Sequence, residues 1–107
     1  LDRTKEPGSG GEPLYKDIVT AIAQQLGDED GKFKSMPTVV GGRYGLSSKE
    51  FTPGMIASVF AELNSDRPKN HFTIGIHDDL SHTSLAWDEC YRTDANRDTF
   101  QAVFYGL

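Results

Sequence analysis

The sequence predicts a loop-rich α/β fold, and three observations predict it. Thr38, Val39 and Val40 form a short β-branched run that leads into the glycine-punctuated loop Gly41-Gly42-Arg43-Tyr44-Gly45; such runs suit buried strands. Downstream stands Thr52-Pro53, a hydroxyl N-cap followed by proline at the first helical position. Residues 69–76, KNHFTIGI, then alternate, with Phe72, Ile74 and Ile76 on one side and His71 and Thr73 on the other, as a half-buried strand does. Strand, loop, helix and strand make an α/β unit, in which ligands and neighbouring domains meet the carboxyl ends of the strands.

Taken in order, residues 1–12 (LDRTKEPGSGGE) read as a loop, because Pro7 and the glycines at 8, 10 and 11 disfavour helix and central strand. Leu1 is placed to be the tail of a strand, and a chain opening on leucine is expected to be cut from a longer one or to lack its start. Asp2, Arg3, Lys5 and Glu6 alternate in sign, which suits local ion pairs on a solvated loop or a loop docked on another domain. Residues 13–26 predict a helix. Pro13 suits its first turn, Leu14, Ile18, Ala21, Ile22 and Leu26 fall on one face, and Gly27 ends it. That face is expected to pack in the core.

Residues 27–37 form a polar connection. Its Asp28-Glu29-Asp30-Gly31 run lacks the oxygen spacing and the later glutamate of a calcium loop. After the glycine loop come the polar residues Ser47, Ser48, Lys49 and Glu50, then Phe51, placed to staple onto Ile56. The second helix is expected over residues 53–63, with Met55, Ile56, Val59, Phe60 and Leu63 as its apolar face and Pro68 as a stop signal. Residues 78–98 read as an irregular, wrapping segment anchored by Leu80, Leu85 and Trp87. A closing strand is expected over residues 100–105.

Composition narrows the function. The net charge is −5 and the 11 basic residues are scattered, so there is no electrostatic footprint for nucleic acid. No apolar run approaches the ~18 residues of a membrane span. The single cysteine, Cys90, forms no internal disulfide, fits a reducing compartment, and falls short of the roughly four thiolates of an iron–sulfur cluster. The loop GGRYG lacks the Gly-Lys-Ser/Thr ending of a phosphate cradle. Arg43 suits bidentate capture of a carboxylate or phosphate, and equally a pairing with an acidic residue that holds the loop; on residues alone the second is preferred. His71, His77 and His82 do not converge locally as metal ligands, and Ser81, His82 and Ser84 lack a nucleophile elbow.

Four stretches in this order, LDRTKEPGSGGEPLY, VVGGRYGLSSKEFTP, KNHFTIGIHDDLSHTSL and the closing FYGL, resemble consecutive signatures of the pyruvate:ferredoxin (flavodoxin) oxidoreductase family. The resemblance covers nearly the whole chain. It implies a partial transketolase-C-terminal-like (Rossmann-like) three-layer domain over residues 1–89, a linker over 90–99, and the first strand of a coenzyme A-associated domain over 100–107. It also implies a large parent enzyme, usually homodimeric and cytoplasmic (or, in a eukaryote, in an anaerobic organelle or plastid). Such a parent decarboxylates pyruvate oxidatively with thiamine diphosphate and magnesium. It passes electrons through [4Fe–4S] clusters to ferredoxin or flavodoxin and loads the acetyl group onto coenzyme A. No catalytic or metal-binding residue is carried over, since those lie outside this stretch in the family. Arg43, Ser47, Ser48 and Lys49 are expected to line a cleft near incoming coenzyme A, and the segment is otherwise scaffold, inactive alone. Two alternatives stay open: a fragment of a pyruvate:NADP oxidoreductase fusion, and a truncated homologue serving as a non-catalytic binding or structural module.

Overall fold

The structure, a computed structural model of the 107-residue chain, describes residues 1–77, 80–93, 102–103 and 105–106. Helix α1, Pro13–Leu26, forms over the predicted residues. Gly27 closes it by donating its N–H to the carbonyl of Gln24, and Asp28 N–H donates to that of Gln25. Glu12 holds the N-cap position without capping. Asp2 instead reaches across from the chain start and accepts the Leu14 N–H at 3.3 Å.

The sheet has three short parallel strands in the order β1-β2-β3: β1 Gly42–Arg43, β2 Phe72–Ile74 and β3 Ser84–Leu85. Gly42 pairs with Phe72, Arg43 with Thr73, Thr73 with Ser84, and Ile74 with Leu85. The chain start runs beside β1, where Asp2 N–H donates to Gly42 O at 2.9 Å and Tyr44 N–H to Asp2 O at 3.0 Å. The bridge is made by Asp2, and Leu1 itself lies outside any strand. The local ion pairs expected of Asp2 give way to this bridge and to the distant cap.

The predicted strand at Thr38, Val39 and Val40 is not formed; pairing starts two residues later, inside the glycine loop. The cause is the ring of Phe72, which lies against the Cα of Gly42 where any side chain would collide with it. The position that pairs with the core aromatic therefore has to be glycine, and β-branched residues cannot take it. β2 is also not half-buried. All three of its residues are buried, because Phe72 and Ile74 face α2 while Thr73, on the other face, exchanges a 2.8 Å hydroxyl hydrogen bond with Ser84. Left-handed backbone at His71 (φ 57) and Gly75 (φ 97) bounds the strand at both ends, which shortens it from the predicted span.

Helix α2, Pro53–Leu63, also matches its prediction, and Thr52 Oγ1 accepts the Met55 N–H at 3.4 Å. Its Met55 and Val59 join Phe72, Ile74 and Leu85 in the core, flanked by Val40, Tyr44, Phe51 and Trp87. The predicted Phe51–Ile56 staple gives way to a Phe51–Tyr44 ring contact at 4.8 Å. Met55 rather than Ile56 faces the sheet, so Phe51 follows the core, and Ile56 stays 41% exposed.

α1 departs most from expectation. Of its apolar stripe Ile22 is buried, while Leu14, Ile18 and Leu26 remain at least 38% exposed. α1 meets the sheet end-on, through Glu12 and Tyr15, instead of lying across a face. β3 falls within the stretch read as irregular; its Leu85 and the following Trp87 anchor as predicted, but Leu80 is 93% exposed. Asp78, Asp79 and most of the predicted linker and closing strand lie outside the described residues.

Candidate functional site

Two polar constellations flank the sheet, one at each end of its strands. At the amino ends sits Glu12, whose side chain is fully buried. His71 Nδ1 lies 2.7 Å from Glu12 Oε2, and because a carboxylate only accepts, the ring N–H is the donor. Arg43 Nε lies 3.8 Å from Oε1, within ion-pair range but too far for a hydrogen bond, so both atoms lack hydrogen-bond partners. Tyr15 packs edge-on against the His71 ring at 4.8 Å and accepts from Asn70 Nδ2 at 3.3 Å. Asn70 Oδ1 accepts the Gly41 N–H at 2.8 Å. Gly41 carries no Cβ because Glu12 Oε2 occupies that space. Burial by itself raises the Glu12 pKa. The hydrogen bonds from His71 and from its own backbone N–H, with the charges of His71 and Lys5, outweigh it and hold the carboxyl below its ordinary 4.5. The cluster is a bracket that joins the start of α1 to the starts of β1 and β2.

At the carboxyl ends lies a cleft of about 290 Å³, lined by Lys49, Glu50, Thr52, Met55, Trp87 and Glu89. All six follow β1 or β3 or begin α2, which is where α/β sheets usually take ligands. Trp87 forms its apolar wall and stacks on His77 at 4.7 Å and 20°. Lys49 and Thr52 supply a cation and a hydroxyl, and Glu50 and Glu89 two carboxylates. A second cleft, about 350 Å³ between α2 and β3, is lined by Ser58, Ala61, Glu62, Lys69, Leu85 and Ala86. Leu85 ends β3 and Ala86 follows it, so this cleft too borders a strand's carboxyl end, on the side of the later turns of α2.

The four predicted site residues do not form one constellation. Arg43 is drawn to Glu12 at the amino-end bracket, the acidic pairing considered from sequence. Ser47 and Ser48 are exposed in the 3₁₀ turn Leu46–Ser48, both with left-handed backbone (φ 57). Lys49 alone of the four lines the carboxyl-end cleft. Sequence reasoning missed Glu12 as the centre of the bracket, since its partners stand 31 and 59 residues away in the chain. It also missed Trp87 and Glu89 as cleft residues; the lone tryptophan of a polar stretch was the available signal.

No protein-family profile matches the chain. Named proteins do. The pyruvate-flavodoxin oxidoreductase of Trichormus variabilis is 58% identical over all 107 residues, and that of Rhodospirillum rubrum is 50% identical over the whole chain. The pyruvate:ferredoxin oxidoreductase of Moorella thermoacetica is 53% identical over 107 residues. The chain belongs to the pyruvate-flavodoxin/ferredoxin oxidoreductase family. It spans 8–9% of the length of these relatives.

The family's name implies redox chemistry, and the described residues do not fit a resident metal or cluster. No group of three or more His, Cys, Asp or Glu side chains among them could hold a metal ion. Cys90 is a lone, exposed thiol, where a cluster takes about four. Among the described residues no helix is long and apolar enough to cross a membrane.

Proposed function

We propose that this chain is a structural segment of a pyruvate oxidoreductase that delivers electrons to flavodoxin or ferredoxin. The observation that carries this is 50–58% identity over the whole chain with relatives so named. In that reaction pyruvate and coenzyme A yield acetyl-coenzyme A, carbon dioxide and electrons. Thiamine diphosphate, magnesium and [4Fe–4S] clusters are held by other parts of the parent. The parent is a cytoplasmic homodimer. Within it residues 1–89 form a transketolase-C-terminal-like unit, 90–99 a linker, and 100–107 the first strand of the next domain.

The segment's own work is to brace neighbouring domains. At the carboxyl ends of its strands Lys49, with Ser47 and Ser48 in the turn before it, borders the approach of coenzyme A, while Arg43 stands apart at the amino-end bracket. The support is Lys49 in the cleft beside the first turn of α2, a setting that favours anionic groups.

The test is anaerobic assay of the purified full-length protein for reduction of flavodoxin or ferredoxin that needs both pyruvate and coenzyme A. Reduction dependent on both is expected. Cluster-loaded protein that reduces neither carrier with pyruvate would overturn the reading.

A further inference from the structure

We infer that Arg3 and the turn Leu46–Ser48 form a phosphate site at the carboxyl end of β1, taking the 3′-phosphate of coenzyme A. The chain start runs parallel to β1 and pairs with Arg43 through Asp2, so the next residue, Arg3, emerges where β1 ends. There its guanidinium lies on Gly45. A Cβ at that position would stand 3.1 Å from Arg3 Nε and 3.4 Å from Nη2. Gly45 also holds left-handed backbone (φ 66). Glycine meets both demands, the turn and the close approach of the guanidinium. The local ion pairs expected of Arg3 are not formed among the described residues. Asp2 turns its carboxylate to the Leu14 N–H instead. Arg3 is exposed, and its donors are open to a ligand.

Ser47 and Ser48 follow, both exposed and both in left-handed backbone (φ 57), which non-glycine residues rarely adopt. Backbone held this way collects at ligand clamps and switch regions. The turn thus adds two hydroxyl donors to a guanidinium that has no acid. A guanidinium grips two phosphate oxygens at once, and serine hydroxyls donate to an oxygen left over. Charge decides which anion fits. A phosphomonoester carries about two negative charges at neutral pH. In the neighbouring cleft Lys49 stands against Glu50 and Glu89, a poor match for such a group. Coenzyme A has one phosphomonoester, its 3′-phosphate, and the assignment rests on the reading that coenzyme A approaches this end of the sheet.

The test is titration calorimetry of the full-length protein with coenzyme A and with dephospho-coenzyme A, which lacks only the 3′-phosphate. Native protein is expected to bind coenzyme A more tightly. Arg3→Ala is expected to weaken coenzyme A about tenfold, the size of one charge-assisted contact, and to leave dephospho-coenzyme A unchanged. Arg3→Lys keeps the charge without the two-pronged geometry and should fall between. Equal affinity of native protein for the two ligands would overturn the inference. So would an Arg3→Ala effect on both ligands alike, or on neither. Weakening confined to inorganic phosphate would make the turn a free-anion site and overturn it as well. Calorimetry needs no pyruvate, so the two readings fail separately. If pyruvate-dependent reduction is absent while Arg3→Ala still erases the preference for the 3′-phosphate, the electron-transfer reading falls and the phosphate site stands. Reduction that persists with no such preference removes the site alone.

Discussion

Nδ1 of His71 and Oε2 of Glu12 lie 2.7 Å apart across 59 residues of chain, and the carboxylate between them and Arg43 is fully buried. This contact closes the loop that carries β1 and α2, since it ties the residue before α1 to the residue before β2. Glu12→Gln keeps the shape and removes the charge. Hydrogen bonds to charged groups contribute ~1.5–3 kcal/mol, so amides of residues 41–43 and 72–74 in the intact protein should exchange with solvent faster by the corresponding factor.

The effect of pH on that difference has a definite sign. The Glu12 pKa is lowered on folding from 4.5. A lowered carboxyl pKa contributes stability that is present above the unfolded value and lost as pH falls through the folded one. The gap in exchange protection between native protein and Glu12→Gln is therefore expected to be constant from neutral pH down to about 4.5, and to shrink below it. A gap that widens on acidification would show that Glu12 is not held as a carboxylate.

Gly42 faces the Phe72 ring so closely that a Cβ would collide with it. Gly42→Ala must displace a ring that is 1% exposed at the centre of the core, and overpacking of this kind costs typically ~1–3 kcal/mol. Gly10→Ala, with no atom within 4 Å of the added methyl, serves as the neutral control. Thermal unfolding of the two variants separates them, and equal midpoints would mean that the ring moves freely.

How far the sequence announced this fold depends on which element is asked. Both helices were legible to the residue because proline starts, the Thr52 cap and helical periodicity are local signals. The strands were not. β1 is two residues long and contains the glycine that a β-branched pattern passes over, and β3 is a Ser-Leu pair inside a polar stretch. Their pairing is set by the Phe72 ring and the Thr73–Ser84 hydroxyl contact, which exist only once distant segments meet. The same limit hid the bracket: Arg43 was visible as a cation awaiting an acid, but nothing local named Glu12. Ile56, Phe60 and Leu63 were read with Met55 and Val59 as one apolar face of α2, because periodicity marks apolar positions without saying which of them the core covers.

Ser48 holds left-handed backbone (φ 57) next to Ser47 in the same conformation. That conformation costs a non-glycine residue roughly 1–2 kcal/mol. Ser48→Gly is expected to leave stability unchanged or raise it by up to ~1 kcal/mol, the strain relief being offset by unfolded-chain entropy. Ser48→Val should lower stability, since branching at Cβ disfavours this region. If the two variants unfold at the same temperature, the turn does not keep this geometry in solution.

Arg43 and Lys49 are six residues apart in the chain and do different work. Arg43 leans on Glu12 at the amino-end bracket, while Lys49 lines the carboxyl-end cleft with Thr52 and Trp87. In the full-length enzyme Lys49→Ala is expected to raise the KM for coenzyme A about tenfold at little change in kcat, the effect of one charge-assisted contact of ~1.4 kcal/mol. Arg43→Ala should instead weaken exchange protection around residues 41–43, because it leaves the buried Glu12 carboxylate without its guanidinium neighbour. A matching rise in KM for Arg43→Ala would bring both residues to the coenzyme. No change in KM or kcat for either variant would remove both from its path and leave this end of the sheet as scaffold alone.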